Sequence, residues 1–194
     1  MFNGIIYKKG IVTNIKKLKS SIYLTVQSKM KLSNKDIGSS ICCNGACLTL
    51  VKVKKNFLDF FISHETIKKT NFKIIKNNDS INLEESIKFG SKISGHYVQG
   101  HVDLCSKVKK ITQIGKSWVL KISIPLKFRK YIIEKGSVTI NGVSLTISKV
   151  NKLDFDITII PHTLNLTNLI HLKRNNLVNI EFDIFSKYLI NLIN

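Results

Sequence analysis

Arginine is almost missing from this chain: of its 31 basic residues only Arg129 and Arg174 are arginines. Acidic residues are scarce as well, 12 in all, so the formal charge is +19. A charge of that size raises the question of a nucleic-acid partner. Dedicated binders, however, concentrate their base and use arginine for bidentate phosphate and guanine contacts. Here the lysines are scattered along the whole sequence, so no nucleic-acid partner is expected. A single-strand-binding barrel would also need aromatics stacked along a basic groove, whereas the aromatics here fall mostly at strand positions expected to face a core.

Other absences exclude further classes. Cys42, Cys43, Cys47 and Cys105 form no CxxC pair, and three of them crowd into six residues, too close for a spread disulfide framework. Free thiols in a reducing compartment are expected. No run approaches 18 apolar residues and Met1 to Gly10 has no signal-peptide core, so the expectation is a cytoplasmic protein with no membrane partner. The five histidines, His64, His96, His101, His162 and His171, stand at no metal-ligand spacing, and no metal is expected. There is no Gly-x-Ser-x-Gly elbow, no GxGxxG and no P-loop, which removes the hydrolase triad and the nucleotide cofactors.

What is present is a repeat. Asn44-Gly45-Ala46-Cys47-Leu48-Thr49-Leu50 returns as Asn141-Gly142-Val143-Ser144-Leu145-Thr146-Ile147, 97 residues later. Thr66-Ile67 and Thr70-Asn71-Phe72 return as Thr163-Leu164 and Thr167-Asn168-Leu169, and Ile81-Asn82-Leu83-Glu84 as Val178-Asn179-Ile180-Glu181. Gly4 to Ile6 matches Gly100 to Val102 at 96, and Gly38 is matched to Gly136 at 98. Blocks in one order at one spacing mean two homologous domains, with a period too long for a solenoid and suited to a small barrel.

Within each half, Ile22–Val26, Leu48–Val53, Phe57–Ile62, Trp118–Ile124, Val143–Val150 and Phe155–Ile160 read as strands, being short, partly alternating and rich in β-branched or aromatic residues. Asn44-Gly45 and Asn141-Gly142 are strong hairpin signals, since both turn positions need positive φ. Lys54–Asn56 and Asn151–Leu153 close the next hairpins. Helix is confined to a turn within Pro125–Glu134 and a short amphipathic segment from Ser186. The expected fold class is all-β: two six-stranded antiparallel barrels, over residues 1–95 and 96–185, followed by a short C-terminal helix over 186–194. Closure removes exposed strand edges.

The repeated blocks place Gly, Ser, Thr, Cys and His near strand ends, where backbone groups can read a flat heterocycle and hydroxyls can bind a polyol. Together Met1-Phe2-Asn3-Gly4-Ile5-Ile6, the Asn44–Thr49 block, Ser94-Gly95-His96-Tyr97-Val98-Gln99-Gly100-His101-Val102-Asp103 and the Asn141–Thr146 block resemble riboflavin synthase. The resemblance spans the chain. It implies a pair of Greek-key barrels, each binding one 6,7-dimethyl-8-ribityllumazine, with no cofactor, and a C-terminal helix that helps assemble a homotrimer. It leaves open whether the chain associates with a lumazine synthase.

The same resemblance implies a first pocket of Gly4, Ile5, Ile6, Cys47, Leu48, Thr49, Phe61, Ile62, Ser63, His64, Glu65 and Thr66. The second would use Gly100, His101, Val102, Lys135, Ser144, Leu145, Thr146, Thr158, Ile159, Ile160, Pro161, His162 and Thr163. Catalysis is tied to the positions matched by Phe2, Ser40, Cys47, His101, Ser144, Thr146 and Asp183. Asp183 has no acidic counterpart at Ser86, so the two pockets are expected to be alike without being equivalent. The chain departs from the family pattern at Asn3, Ser94 and His162. A non-catalytic lumazine or flavin carrier is the alternative reading, and such relatives tend to lose polar groups from one pocket.

Overall fold

The computed structural model describes residues 1–193. The first barrel is built from β1 (Lys8–Lys17), β2 (Ile22–Ser28), β3 (Ser40–Cys43), β4 (Ala46–Lys54), β5 (Phe57–Ile62) and β6 (Ser80–Glu85). Its strands close in the order β1-β2-β5-β4-β3-β6, every pair antiparallel. The second contains β7 (Leu104–Ile114), β8 (Ser117–Ser123), β9 (Ser137–Ile140), β10 (Val143–Val150), β11 (Asp154–Ile159) and β12 (Leu177–Phe182), closed in the corresponding order. Helices are short: α1 (His64–Lys69), α2 (Pro161–Leu166) and α3 (Ile184–Ile193), with 3-10 turns at Asn34–Asp36, Asn71–Ile74, Leu126–Tyr131 and Asn168–His171. No helix among the described residues is long and apolar enough to cross a membrane.

Each strand puts alternate side chains inside. In β5, Leu58, Phe60 and Ile62 are buried while Phe57 and Phe61 are exposed, the period of two expected where one face lines a core. The hairpins follow from turn chemistry. Asn44 and Gly45 take φ of 47° and 85°, Asn141 and Gly142 take 47° and 81°, and these left-handed pairs reverse the chain in two residues. Both barrels carry irregular registers at matching places, Val12/Asn14 and Leu50/Lys52 in one, Val108/Lys110 and Ile147/Lys149 in the other. Such bulges supply the bend that a small closed sheet needs.

The barrels meet across a polar dyad. Asn44 Oδ1 accepts from the Asn82 amide (2.8 Å) and Asn141 Oδ1 from the Asn179 amide (2.9 Å). Across the interface, Asn82 Nδ2 donates to the Asn141 carbonyl (2.9 Å) and Asn179 Nδ2 to the Asn44 carbonyl (2.8 Å). Asn168 and Asn71 close the ring by donating their amides to Asn82 Oδ1 (2.7 Å) and Asn179 Oδ1 (2.6 Å). An amide side chain both donates and accepts, so asparagine can serve each barrel and its neighbour in one residue. The repeated asparagines are thus interface residues.

The segments ahead of each barrel are exchanged. Ile6, from the first half, is buried in the core of the second barrel, and Val102 packs against the core of the first. Where they cross, the Phe2 amide donates to the Val98 carbonyl (2.7 Å) and the Val98 amide to that of Phe2 (3.1 Å).

Two sequence expectations need correction here. Gly38 corresponds to Lys135, not Gly136: the Gly38 amide donates to the Leu50 carbonyl, the Lys135 amide to that of Ile147, and both residues have positive φ. Nor do the aromatics fall mostly on the core. Tyr7, Tyr23, Phe57, Phe61, Phe89, Tyr97, Phe185 and Tyr188 are exposed, because strand alternation turns several outward and the rest lie in loops or on α3.

Candidate functional site

The exchange decides which residues share a site. The Ser144 amide donates to the Gly4 carbonyl and the Cys47 amide to the Gly100 carbonyl, both at 2.8 Å. The grouping expected from sequence is therefore crossed: Gly4–Ile6 lies against the Ser144 strand of the second barrel, Gly100–Val102 against the Cys47 strand of the first. A methyl group on Gly4 would stand 2.7 Å from Ser144 Cβ, and one on Gly100 2.7 Å from Cys47 Cβ. Only glycine admits so close a backbone approach.

A buried carboxylate fixes each glycine loop. Glu84 accepts from the amides of Asn3 (2.7 Å) and Gly4 (3.0 Å); its repeat partner Glu181 accepts from Gln99 (2.7 Å), Gly100 (2.9 Å) and His101 (3.1 Å). Burial pushes Glu84 up to about 7 against the pull of those amides, and burial also raises Glu181. In the sequence both glutamates stand only as members of a repeated block. The signal was available: an acid recurring at the end of an otherwise apolar strand needs a local partner, because buried charges are paired or hydrogen-bonded.

At the first barrel, Cys47, Glu65, Thr66, Gly100, His101 and Val102 line a cavity of about 190 Å³. Ser63 caps α1 by accepting from the Thr66 amide (3.3 Å), which fixes the Glu65–Thr66 wall. Cys47 is half-buried and faces outward beside Cys42, Phe2 and Val98. Ser40 lies directly opposite Thr49, as Ser137 lies opposite Thr146. Leu48, Ile62 and Ile159 point into the cores, so only their backbones can face a ligand. His64, Phe61 and Ser63 are exposed at the strand end, with Phe61 edge-on to Tyr23 at 5.2 Å.

At the second barrel, Ser144 and Thr146 occupy the positions of Cys47 and Thr49. Ser144 Oγ lies 2.7 Å from Nδ1 of His96, whose Nε2 is 3.2 Å from Thr139 Oγ1. Ile5, Leu145 and Thr163 are half-buried, whereas Thr158, Ile160 and His162 are exposed and Pro161 opens α2. Lys135 sits in an exposed left-handed turn. Asp183 accepts from the Phe185 amide (3.0 Å) at the start of α3. Asn3, at the departure from the family pattern, keeps a buried Oδ1 with no hydrogen-bond partner. His96 is not among the site residues that the sequence implies. A histidine just ahead of a recurrent glycine loop was its one visible signal.

A larger cavity, about 580 Å³, lies at the asparagine dyad between Ile74–Ser80 and His171–Leu177. It contains none of the residues expected at the site, and its Asn floor is engaged in the interface.

The lumazine binding domain family matches this chain twice, over residues 3–86 and 99–183. Riboflavin synthase of Photobacterium phosphoreum is 37% identical over 97% of this chain and 87% of its own length. That of Buchnera aphidicola is 35% identical over 98% and 92%. The chain belongs to the riboflavin synthase family. Among solved structures, LumP complexed with riboflavin superposes on this riboflavin synthase family fold with a TM-score of 0.84 at 25% identity, covering 94% of this chain and 99% of LumP. LumP complexed with 6,7-dimethyl-8-(1'-D-ribityl) lumazine gives 0.80 at 25% over 93% and 98%.

Proposed function

We infer that the chain is a riboflavin synthase: it dismutates two molecules of 6,7-dimethyl-8-ribityllumazine into riboflavin and 5-amino-6-ribitylaminouracil by moving a four-carbon unit from one to the other. The observation that carries this reading is the crossed pair of half-sites, one built on Cys47 with the Gly100 loop and one on Ser144 with the Gly4 loop. Both keep their polar groups. A carrier of lumazine or flavin needs one good pocket, whereas a dismutase needs two with different roles.

The lumazine brings its own reactivity, since loss of a proton from its 7-methyl group leaves an anion delocalised over the ring. The protein's tasks are to hold two rings face to face and to move protons. Holding two reactants in register can supply about 7–11 kcal/mol in favourable cases. Backbone groups at Cys47–Thr49 and Ser144–Thr146 would read the rings, and Thr49, Thr66, Thr146 and Thr163 the ribityl hydroxyls. His101 and Thr146 would assist the proton steps, with Cys47, Ser144, Ser40 and Asp183 handling the nucleophile that primes the acceptor.

The cavity at Cys47 is an open shelf, below the roughly 300–1,000 Å³ of a complete ligand site, so a second surface completes it. Phe185, Tyr188, Leu189, Leu192 and Ile193 leave α3 with an exposed apolar face. Burying that face in a homotrimer would set the first barrel of one subunit against the second barrel of the next. We place the protein in the cytoplasm with the rest of such biosynthesis.

The test is a fluorescence assay with purified protein and ribityllumazine alone. Riboflavin should form without added metal or cofactor. Tight binding with no turnover would favour the carrier.

A further inference from the structure

We propose that His96 is a positioning residue and proton reservoir for Ser144, and that this pair makes the second-barrel half-site the one that draws a proton from the nucleophile priming the acceptor lumazine. The proposal rests on the functional reading above, in which Ser144 faces the lumazine.

Ser144 Oγ and His96 Nδ1 are 2.7 Å apart, a short contact for a hydroxyl and a ring nitrogen. Thr139 Oγ1, 3.2 Å from Nε2, holds the other side of the ring. The His96 amide also donates to the Asn3 carbonyl (3.3 Å), which ties the imidazole to the exchanged Gly4 loop. With the proton on Nε2, that nitrogen donates to Thr139 while Ser144 donates to Nδ1, leaving the Ser144 lone pairs as acceptors. Ser144 can then receive a proton from that nucleophile, a bound water, as its own proton passes to Nδ1. The imidazolium so formed keeps its Nε2–H on Thr139, and the proton returns along the same path. One proton enters at Oγ, one leaves Oγ for Nδ1, and no other reactant is needed.

The first barrel lacks this device. Cys47 and Cys42 replace Ser144 and Thr139 in the repeat, Cys47 packs with Cys42, Phe2 and Val98, and among the described residues no histidine hydrogen-bonds to Cys47. Two half-sites with one backbone plan therefore differ in whether their outward-facing group is backed by a base. That difference assigns opposite roles to two identical lumazines.

Burial keeps the imidazole below the ordinary histidine range, and the Asp183 carboxylate pulls the other way. The remaining groups at the ring, Ser144, Thr139 and the Asn3 carbonyl, are uncharged. Glu84 and Glu181 lie below the flanking loops and are occupied by backbone amides, while Lys187 is paired with Asp103 at 2.7 Å. His96 is thus neutral when the cycle begins, and the Asp183 charge stabilises it once protonated.

The experiment compares wild type, H96N, H96A, S144A and H96A/S144A in steady-state turnover of ribityllumazine from pH 5 to 8, with riboflavin affinity followed by fluorescence quenching. In H96N an amide can still engage Ser144 but cannot take a proton. We expect H96N and H96A to lose about 10²-fold in kcat, the usual scale for a base assisting proton transfer, with riboflavin affinity kept within a few-fold. The acid limb of the kcat profile should flatten in both. Imidazole should restore part of the H96A rate, and H96A/S144A should be no slower than S144A. Should H96A fail to fold, H96N alone decides. Wild-type kcat and an unchanged acid limb in H96N, or independent losses in the double variant, would overturn the relay. A wild-type protein that makes no riboflavin would instead overturn the functional reading beneath it.

Discussion

Glu84 shows how one buried group sets both stability and site geometry. Two backbone amides satisfy its oxygens, yet burial still pushes its carboxyl up to about 7 from the usual 4.5. Between those values the native state holds a proton that the unfolded chain has released, so this residue's stabilising contribution is complete below 4.5 and is lost as pH rises through about 7. In E84Q the group no longer titrates and one oxygen becomes a donor facing a donor. We expect E84Q to be less stable by about 1–3 kcal/mol at neutral pH, and its melting temperature to fall less than that of wild type between pH 4.5 and 7. Thermal unfolding across that range checks both, and parallel curves would show that Glu84 does not titrate in this window. His96 adds the opposite slope, since a buried neutral imidazole loses stability as pH falls below 6.5, which is why the comparison must be a difference between variants.

Among the elements, the Asn-Gly hairpins carry the most weight. Each turn glycine has a positive φ, and a methyl group on Gly142 would stand 2.9 Å from the Gly45 amide nitrogen. The two turns therefore touch backbone to backbone at the dyad. G142A should introduce strain in the turn and also push the barrels apart, costing about 1–3 kcal/mol, seen as a drop of several degrees in melting temperature. An unchanged melting temperature would mean that the barrels can separate there freely. The strand that leaves each of these turns, β4 or β10, and the next strand of the meander were legible from alternation and turn residues alone. Phe57–Ile62 and Val143–Val150 match the observed elements end to end. β3, β6, β9 and β12, with four to six residues each, were not, because their side chains are buried almost throughout and so lack alternation, and β1 and β7 were not either, because bulges and runs of exposed lysine break theirs. α1 and α2 were missed since six residues are too few for helical periodicity to show.

For the whole molecule, the exchange of Ile6 and Val102 between cores governs what a half-chain can do. Residues 1–94 supply a closed barrel but lack Val102 and the Gly100 loop that covers Cys47. A second copy can offer its own Ile6 and Gly4 loop in their place, and its Asn44 carbonyl can accept from Asn82 as Asn141 does here. The half-chain should accordingly be a homodimer that binds riboflavin and shows almost no turnover, having neither Ser144 nor His96. Sedimentation tests this directly; a folded monomer with the same affinity would show that the exchanged segment is dispensable.

The sequence by itself determined the twofold repeat, the all-β class, the hairpin positions and the family, because repeats, turn chemistry and alternation are local properties that a linear string preserves. It also contained every residue of both half-sites. Only the tertiary structure decided which belong together. The segments of about seven residues ahead of each barrel could pack on their own barrel or on the other, and the choice depends on glycine-to-strand approaches, buried glutamates and an asparagine dyad formed between residues 53 to 140 positions apart. No periodicity in either half encodes contacts of that range, so the pairing of Ser144 with the Gly4 loop and His96 emerges only when both barrels are closed.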